Sequence, residues 1–143
     1  MTLKVLIIDD DSAMTELLTL QLMTHGFKVL TTNTGEDGIA IARKDSPEVI
    51  ILDLMIGGMD GWQICKQIRM FSNVPLLILS ARDSSGLVAS ALDAGADDYL
   101  VKPVPSGVLI AHLNKLTRRK EMNEGNKFKP QTAPLPTKEN FIS

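Results

Sequence analysis

Three short stretches that are apolar at every position, Val5-Leu6-Ile7-Ile8, Val49-Ile50-Ile51-Leu52 and Leu76-Leu77-Ile78-Leu79, restrict the fold more than any other feature of the chain. Successive side chains of a strand point to opposite faces, so a strand with one wet face alternates polar and apolar residues. A strand apolar on both faces has to be covered on both, as the central parallel strands of an α/β sheet are. Together with the β-rich runs Lys28–Thr31 and Tyr99–Val101, and with the outer limits Lys4–Ile8 and Val74–Leu79, these stretches make five predicted strands. Each is separated from the next by a segment that reads as a helix.

The helix boundaries follow from capping chemistry. Ser12 can cap a helix running to about His25, where Gly26 stops it. Thr34 precedes Gly35–Arg43, Asp60-Gly61 leads into Trp62–Met70, and Ser84 or Ser85 opens a segment through Asp93 that Ala94-Gly95 ends. Ser106 opens the last helix, to about Arg119, with Leu109, Ile110, Leu113 and Leu116 on one face. Five βα repeats with right-handed crossovers predict a doubly wound, flavodoxin-like, five-stranded parallel sheet in the order 2-1-3-4-5.

Bulk properties bound the rest. At 143 residues, 44% hydrophobic and 22% charged, the chain holds one compact domain with a real core. A formal net charge of −2 provides no positive field for nucleic acid or an anionic membrane, so no nucleic-acid binding by this chain alone is expected. No apolar run approaches membrane-spanning length, and a cytoplasmic protein is the expectation. The single cysteine, Cys65, allows no intrachain disulfide and reads as a small buried apolar side chain. Beyond Arg119 the periodicity is lost and three of the seven prolines fall in 120–143, so the domain is expected over 1–119 and a flexible tail or interdomain linker over 120–143.

Ligands of a doubly wound sheet sit beyond the carboxyl ends of its strands. That rule selects Asp9, Asp10 and Asp11 after the first strand, Asp53 at the end of the third, Ser80 at the end of the fourth and Lys102 after the fifth. Taken singly, each of these is an ordinary cap or loop residue; their coincidence is what points to a site. Three converging carboxylates repel by roughly 4 kcal/mol per pair at about 4 Å and an effective dielectric near 20. A divalent cation relieves this, and an all-oxygen donor set suits Mg²⁺ better than zinc, since neither His25 nor His112 is placed to join. Such a site suits phosphoryl transfer, with Asp53 as nucleophile and Lys102 and the Ser80 hydroxyl on the phosphate oxygens.

The motifs VLIIDDD, ILDLMIGGMDG around Asp53, LILSAR containing Ser80 and AGADDYLVKP containing Tyr99, Lys102 and Pro103 resemble, in order, those of the response regulator receiver family, whose simplest members are CheY-like. The resemblance covers about Leu3 to Arg119. It implies a receiver of a two-component signal transduction system, a signalling switch rather than an enzyme in the usual sense, which catalyses its own phosphorylation and dephosphorylation. It implies that Asp10, Asp53 and the Met55 backbone carbonyl ligate Mg²⁺ directly and Asp9 through a water, with Asp11 only a helix-start acid. The donor would be a sensor histidine kinase or phosphotransfer protein. The phosphate would draw Ser80 inward, Tyr99 would turn into the vacated space, and the face made by the fourth helix, fifth strand and fifth helix would change.

Two departures from the family pattern stand out. Gly57 occupies a usual proline position, so the Ile56-Gly57-Gly58 loop is expected to be mobile, and Val104 replaces a common aromatic. ALDAGADDYLVKP and LNKLTRRK look most like the OmpR-type winged-helix branch, which dimerises through that face by salt bridges. Positions usually charged there read Val88 and Val108, and an arginine position reads His112, so an apolar contact between copies or with another partner is expected instead. Met55 and Arg82 would flank the phosphate and tune hydrolysis. The chain is expected to act through an output domain or a separate protein target.

Other readings stay open on the residues alone. Asp9-Asp10-Asp11-Ser12 after an apolar strand also fits a haloacid-dehalogenase-like phosphatase with Asp9 as nucleophile. A flavodoxin-like nucleotide binder shares the sheet order, but its phosphate loop needs glycine and hydroxyl donors where this chain has three acids. The chain can also be the receiver half of a longer DNA-binding transcriptional regulator.

Overall fold

The computed structural model describes residues 2–56, 59–81 and 85–126. Its strands are β1 (Lys4–Ile8), β2 (Lys28–Thr32), β3 (Val49–Asp53), β4 (Met55–Ile56), β5 (Met59–Asp60), β6 (Leu76–Ser80) and β7 (Asp98–Val101). Its helices are α1 (Ser12–Thr24), α2 (Gly35–Asp45), α3 (Gly61–Arg69), α4 (Ser85–Asp93) and α5 (Ser106–Asn126). The main sheet is five-stranded in the order β2-β1-β3-β6-β7, every pairing parallel. Counting only those strands, this is the expected 2-1-3-4-5.

The all-apolar runs behave as their composition demands. Leu6, Ile8, Ile50, Leu52, Leu76 and Ile78 pack with Ala42 of α2, Ile64, Cys65 and Ile68 of α3 and Ala91 of α4. The intervening Val5, Ile7, Val49, Ile51, Leu77 and Leu79 pack on the other side with Leu18 and Leu22 of α1 and Leu109, Leu113 and Leu116 of α5. Alternate side chains of one strand therefore enter different cores, the sheet's two faces being equally dry. Cys65 is 1% exposed and its thiol donates to Ala94 O at 3.3 Å, as a packing residue should.

Several boundaries differ from the expectation. Asp11, not Ser12, is the N-cap of α1: its carboxylate accepts from Met14 N–H, and a carboxylate at that end is also favoured by the helix dipole. The segment after Asp53 is not simply a loop, because β4 and β5 pair antiparallel, Met55 with Asp60 and Ile56 with Met59, and Ile56 is buried. Gly57 and Gly58, on which the expected loop mobility rested, lie outside the described residues, as does Arg82. The last helix continues past Arg119 to Asn126, while 127–143 lie outside the described residues.

Candidate functional site: an acidic pocket at the carboxyl end of the sheet

Register alone brings the candidate residues to one edge. Ile8 pairs with Leu52, so Asp9 follows β1 level with Asp53; Asp53 pairs with Leu79, one step before Ser80; Ser80 pairs with Val101, one step before Lys102. The Lys102 N–H donates to Ser80 O at 2.7 Å and extends that ladder by a rung. Each of these four strands thus stops within one residue of its neighbour.

The side chains converge accordingly. Carboxylate oxygens of Asp9, Asp10 and Asp53 lie within 4.8 Å of one another. Lys102 Nζ is 3.3 Å from Asp9 Oδ2 and 3.9 Å from Asp53 Oδ1. Asp9 is only 2% exposed, Asp53 is partly buried and Asp10 sits open at the rim. Asp9 Oδ1 also accepts the Asp11 N–H at 3.0 Å, so both oxygens of the most buried acid are engaged by protein donors. Three carboxylates gathered this closely repel one another, and hard oxygen donors so arranged suit a cation. A small divalent ion fits this donor set better than a soft metal, for among the described residues no thiolate or imidazole shares it.

Gly61 keeps the pocket's floor tight. A Cβ there would lie 2.8 Å from the Leu54 Cα, and its N–H donates to Leu54 O, so α3 begins directly against the residue following Asp53. Asp60 caps that helix through Gln63 N–H.

Ser80 is 2% exposed at the tip of β6, and Tyr99 is half-buried on β7 against the core that α4 closes. Ile78 pairs with Tyr99 and Ser80 with Val101, which sets hydroxyl and ring on adjacent strands. Met55 follows the pocket in β4, where its carbonyl belongs to the short hairpin. Val88 is half-buried on α4, Val108 is exposed on α5, and Leu92 and Val101 are exposed large apolar residues on α4 and β7. His112 is not oriented solely outward: its Nδ1 lies 2.5 Å from Asp98 Oδ2 of the same chain.

Two features escaped the sequence reading. The β4–β5 hairpin was signalled by Gly57-Gly58 between two apolar residues, a pattern that favours a two-residue turn. Asn33 was overlooked, and its Nδ2 donates to the Asp9 carbonyl at 2.6 Å. An isolated asparagine after a strand carries no signal of that kind in sequence.

Known proteins share the chain's sequence and fold. Residues 5–114 match the family described as response regulator receiver domain. The transcriptional regulatory protein AfsQ1 of Streptomyces coelicolor is 41% identical over 116 residues, covering 81% of this chain and 52% of that protein. Response regulator MprA of Mycobacterium leprae is 38% identical over 118 residues, covering 82% and 52%. The chain therefore spans about half the length of the curated relatives it matches. Among solved structures, a two-component response regulator from Clostridium difficile superposes with a TM-score of 0.80 at 29% identity, covering 82% of this chain and 98% of that one. The BeF3-activated N-terminal receiver domain of Klebsiella pneumoniae RstA does so with 0.78 at 29%, covering 80% and 98%.

Proposed function

Because the chain belongs to the response regulator receiver domain family, we propose that it is a phosphoacceptor switch in which Asp53 takes a phosphoryl group from a phosphohistidine of a sensor histidine kinase or phosphotransfer protein. The observation that carries this reading is the meeting of Asp9, Asp10 and Asp53 within 4.8 Å, with the Lys102 ammonium 3.3 Å from one of them. In the transfer an Asp53 oxygen attacks phosphorus, the P–N bond to imidazole breaks, and an acyl phosphate forms on Asp53. Lys102 and the Ser80 hydroxyl would hold the phosphate oxygens as charge develops on them.

Asp10, Asp53 and the Met55 carbonyl would hold Mg²⁺ directly, and Asp9 through a water. When bound, the ion neutralises the carboxylates and the incoming phosphate oxygens. The engagement of both Asp9 oxygens by protein donors suits a supporting acid, not the nucleophile that a haloacid-dehalogenase-like phosphatase would need.

A phosphate on Asp53 biases Ser80 and Tyr99 toward one of two arrangements, and the population shifts by the difference in affinity. The altered face is that of α4, β7 and α5. Its resemblance to the OmpR-type branch makes this face a contact between copies or with an output domain, with Val88, Val108 and His112 in it. Exposed Leu92, Val101 and Val108 make an apolar pairing more fitting there than an ionic one. Among the described residues no helix is long and apolar enough to cross a membrane, and a cytoplasmic place of action beside a kinase's catalytic portion fits this role. A transcriptional output would lie in sequence beyond this domain, with 120–143 as the linker.

The test is labelling by a small-molecule phosphodonor with Mg²⁺, read by intact mass. Wild type and Asp9→Asn gain one phosphoryl group, Asp9→Asn slowly, and Asp53→Asn gains none. Loss of label in Asp9→Asn with full labelling of Asp53→Asn would transfer the nucleophile to Asp9 and defeat the proposal.

A further inference from the structure

The ladder between β1 and β2 ends on the acids. At its start the Lys28 N–H donates to Leu3 O at 2.8 Å, and at its end the Asp9 N–H donates to Thr32 O at 3.1 Å. Donors alternate between the two strands of a parallel ladder, so with Ile8 opposite Thr32 the next rung would run from Thr34 N–H to Asp9 O. The chain has left the sheet by then. β2 stops at Thr32, and Thr34 is already the N-cap of α2, its hydroxyl accepting from Asp37 N–H. The Asn33 side-chain amide supplies a donor at that rung, 2.6 Å from Asp9 O.

We propose that Asn33 is a positioning residue of the acidic pocket, a side-chain rung that fixes the Asp9 main chain so that the carboxylates of residues 9, 10 and 53 stay gathered before a cation arrives. The proposal rests on the reading that the pocket takes Mg²⁺. Without an ion the three carboxylates repel, and the exposed Asp10 has no burial to hold it inward. The backbone that precedes Asp10 fixes where its side chain leaves the main chain. That backbone is held at Asp9 N by Thr32 and at Asp9 O by Asn33, while the Asp9 carboxylate is held by Asp11 N–H and Lys102. Asparagine suits the position because it donates without adding charge. An aspartate would put a fourth carboxylate at the edge of the pocket and offer no donor.

Nuclear magnetic resonance on the full chain tests this with Asn33→Ala and Asn33→Ser. Two quantities are read: amide hydrogen exchange in metal-free protein, and Mg²⁺ affinity from amide shifts on titration. Expected in Asn33→Ala are faster exchange at the Asp9 and Asp11 amides, unchanged exchange at Leu76, and Mg²⁺ binding weakened by about tenfold, the scale of lost outer-shell support. Asn33→Ser, which keeps a donor, recovers part of both. Unchanged exchange and affinity in Asn33→Ala overturn the proposal. So does acceleration throughout the sheet, Leu76 included, which marks a purely structural role. If wild type shows no Mg²⁺ shifts the phosphoacceptor reading fails by itself, and the exchange arm, which needs no metal, still decides whether Asn33 holds the acids.

Discussion

The two ends of the sheet treat charge in opposite ways. At the carboxyl end, the carboxylates of Asp9, Asp10 and Asp53 gather beside the Lys102 ammonium. At the amino end, the guanidinium of Arg69 is satisfied almost donor by donor: Nε to Gly95 O at 2.9 Å, Nη1 to Val74 O at 2.7 Å and Ser72 O at 3.3 Å, Nη2 to Asp97 Oδ2 at 3.0 Å. Asp97 in turn accepts the Leu76 N–H at 2.8 Å. This second network ties the end of α3 to the segments that open β6 and β7. Its charges are paired and its main-chain groups used, which is the arrangement of a part selected for stability. The acidic end instead gathers like charges whose mutual repulsion a bound cation would relieve, and such local violations mark function.

Breaking the satisfied end has the largest effect. Arg69→Ala takes the guanidinium from Asp97 and from three carbonyls, and urea unfolding should show a loss of about 2–3 kcal/mol, the scale of hydrogen bonds to charged groups left unmade. Phosphoryl labelling of the surviving folded fraction should be close to wild type. A change under 0.5 kcal/mol would mean that the amino end is not the anchored one.

Relieving the acidic end has the opposite sign and a smaller size. Metal-free Asp53→Asn removes one charge from the cluster and should be more stable than wild type by about 1–2 kcal/mol, part of the roughly 3–4 kcal/mol per carboxylate pair after solvent screening. Added Mg²⁺ should then reverse the order of benefit. Wild type gains about 1.4 kcal/mol at tenfold over its dissociation constant, and Asp53→Asn gains little. Melting curves of both proteins with and without the ion measure this, and equal Mg²⁺ responses would remove the contrast between the ends.

How much of this was legible beforehand depends on range. The sheet was readable because its three central strands are apolar on both faces, a pattern few other structures can use. The acids, Ser80 and Lys102 were readable because a parallel sheet sends every strand's carboxyl end to the same edge, so strand limits suffice to gather them. The hairpin of β4 and β5 is two residues a side, too short for periodicity, and only Gly57-Gly58 hinted at it. The Arg69 network and the Asn33 contact were invisible for a different reason. They join a side chain to carbonyls 26 and 24 residues away, and a carbonyl has no sequence signature. The Asp11 cap differed from the expected Ser12 by one residue, where both types are good caps and the backbone decides.

Cys65 sharpens the comparison with the smallest effect. It lies on α3 between the two ends, 1% exposed, with its thiol on Ala94 O. Burial pushes the thiol above its ordinary value of 9.0, partly offset by nearby Arg69 and reinforced by Asp97. Below that pH the thiol is neutral in folded and unfolded chains alike, and its contribution to stability is whole. As pH rises past 9.0 the unfolded chain releases the proton first, so the unfolded state binds fewer protons and stability falls. Cys65→Ala, although it loses some packing, should lack that increment of alkaline destabilisation. Unfolding of both proteins at pH 8 and pH 10 measures it: the difference between them should narrow at the higher pH. Native Cys65 should also resist a thiol reagent on the timescale that modifies the unfolded chain at once. Rapid labelling of the native protein would show that the core under α3 opens easily, and the stability assigned to the Arg69 end would then have to be carried elsewhere.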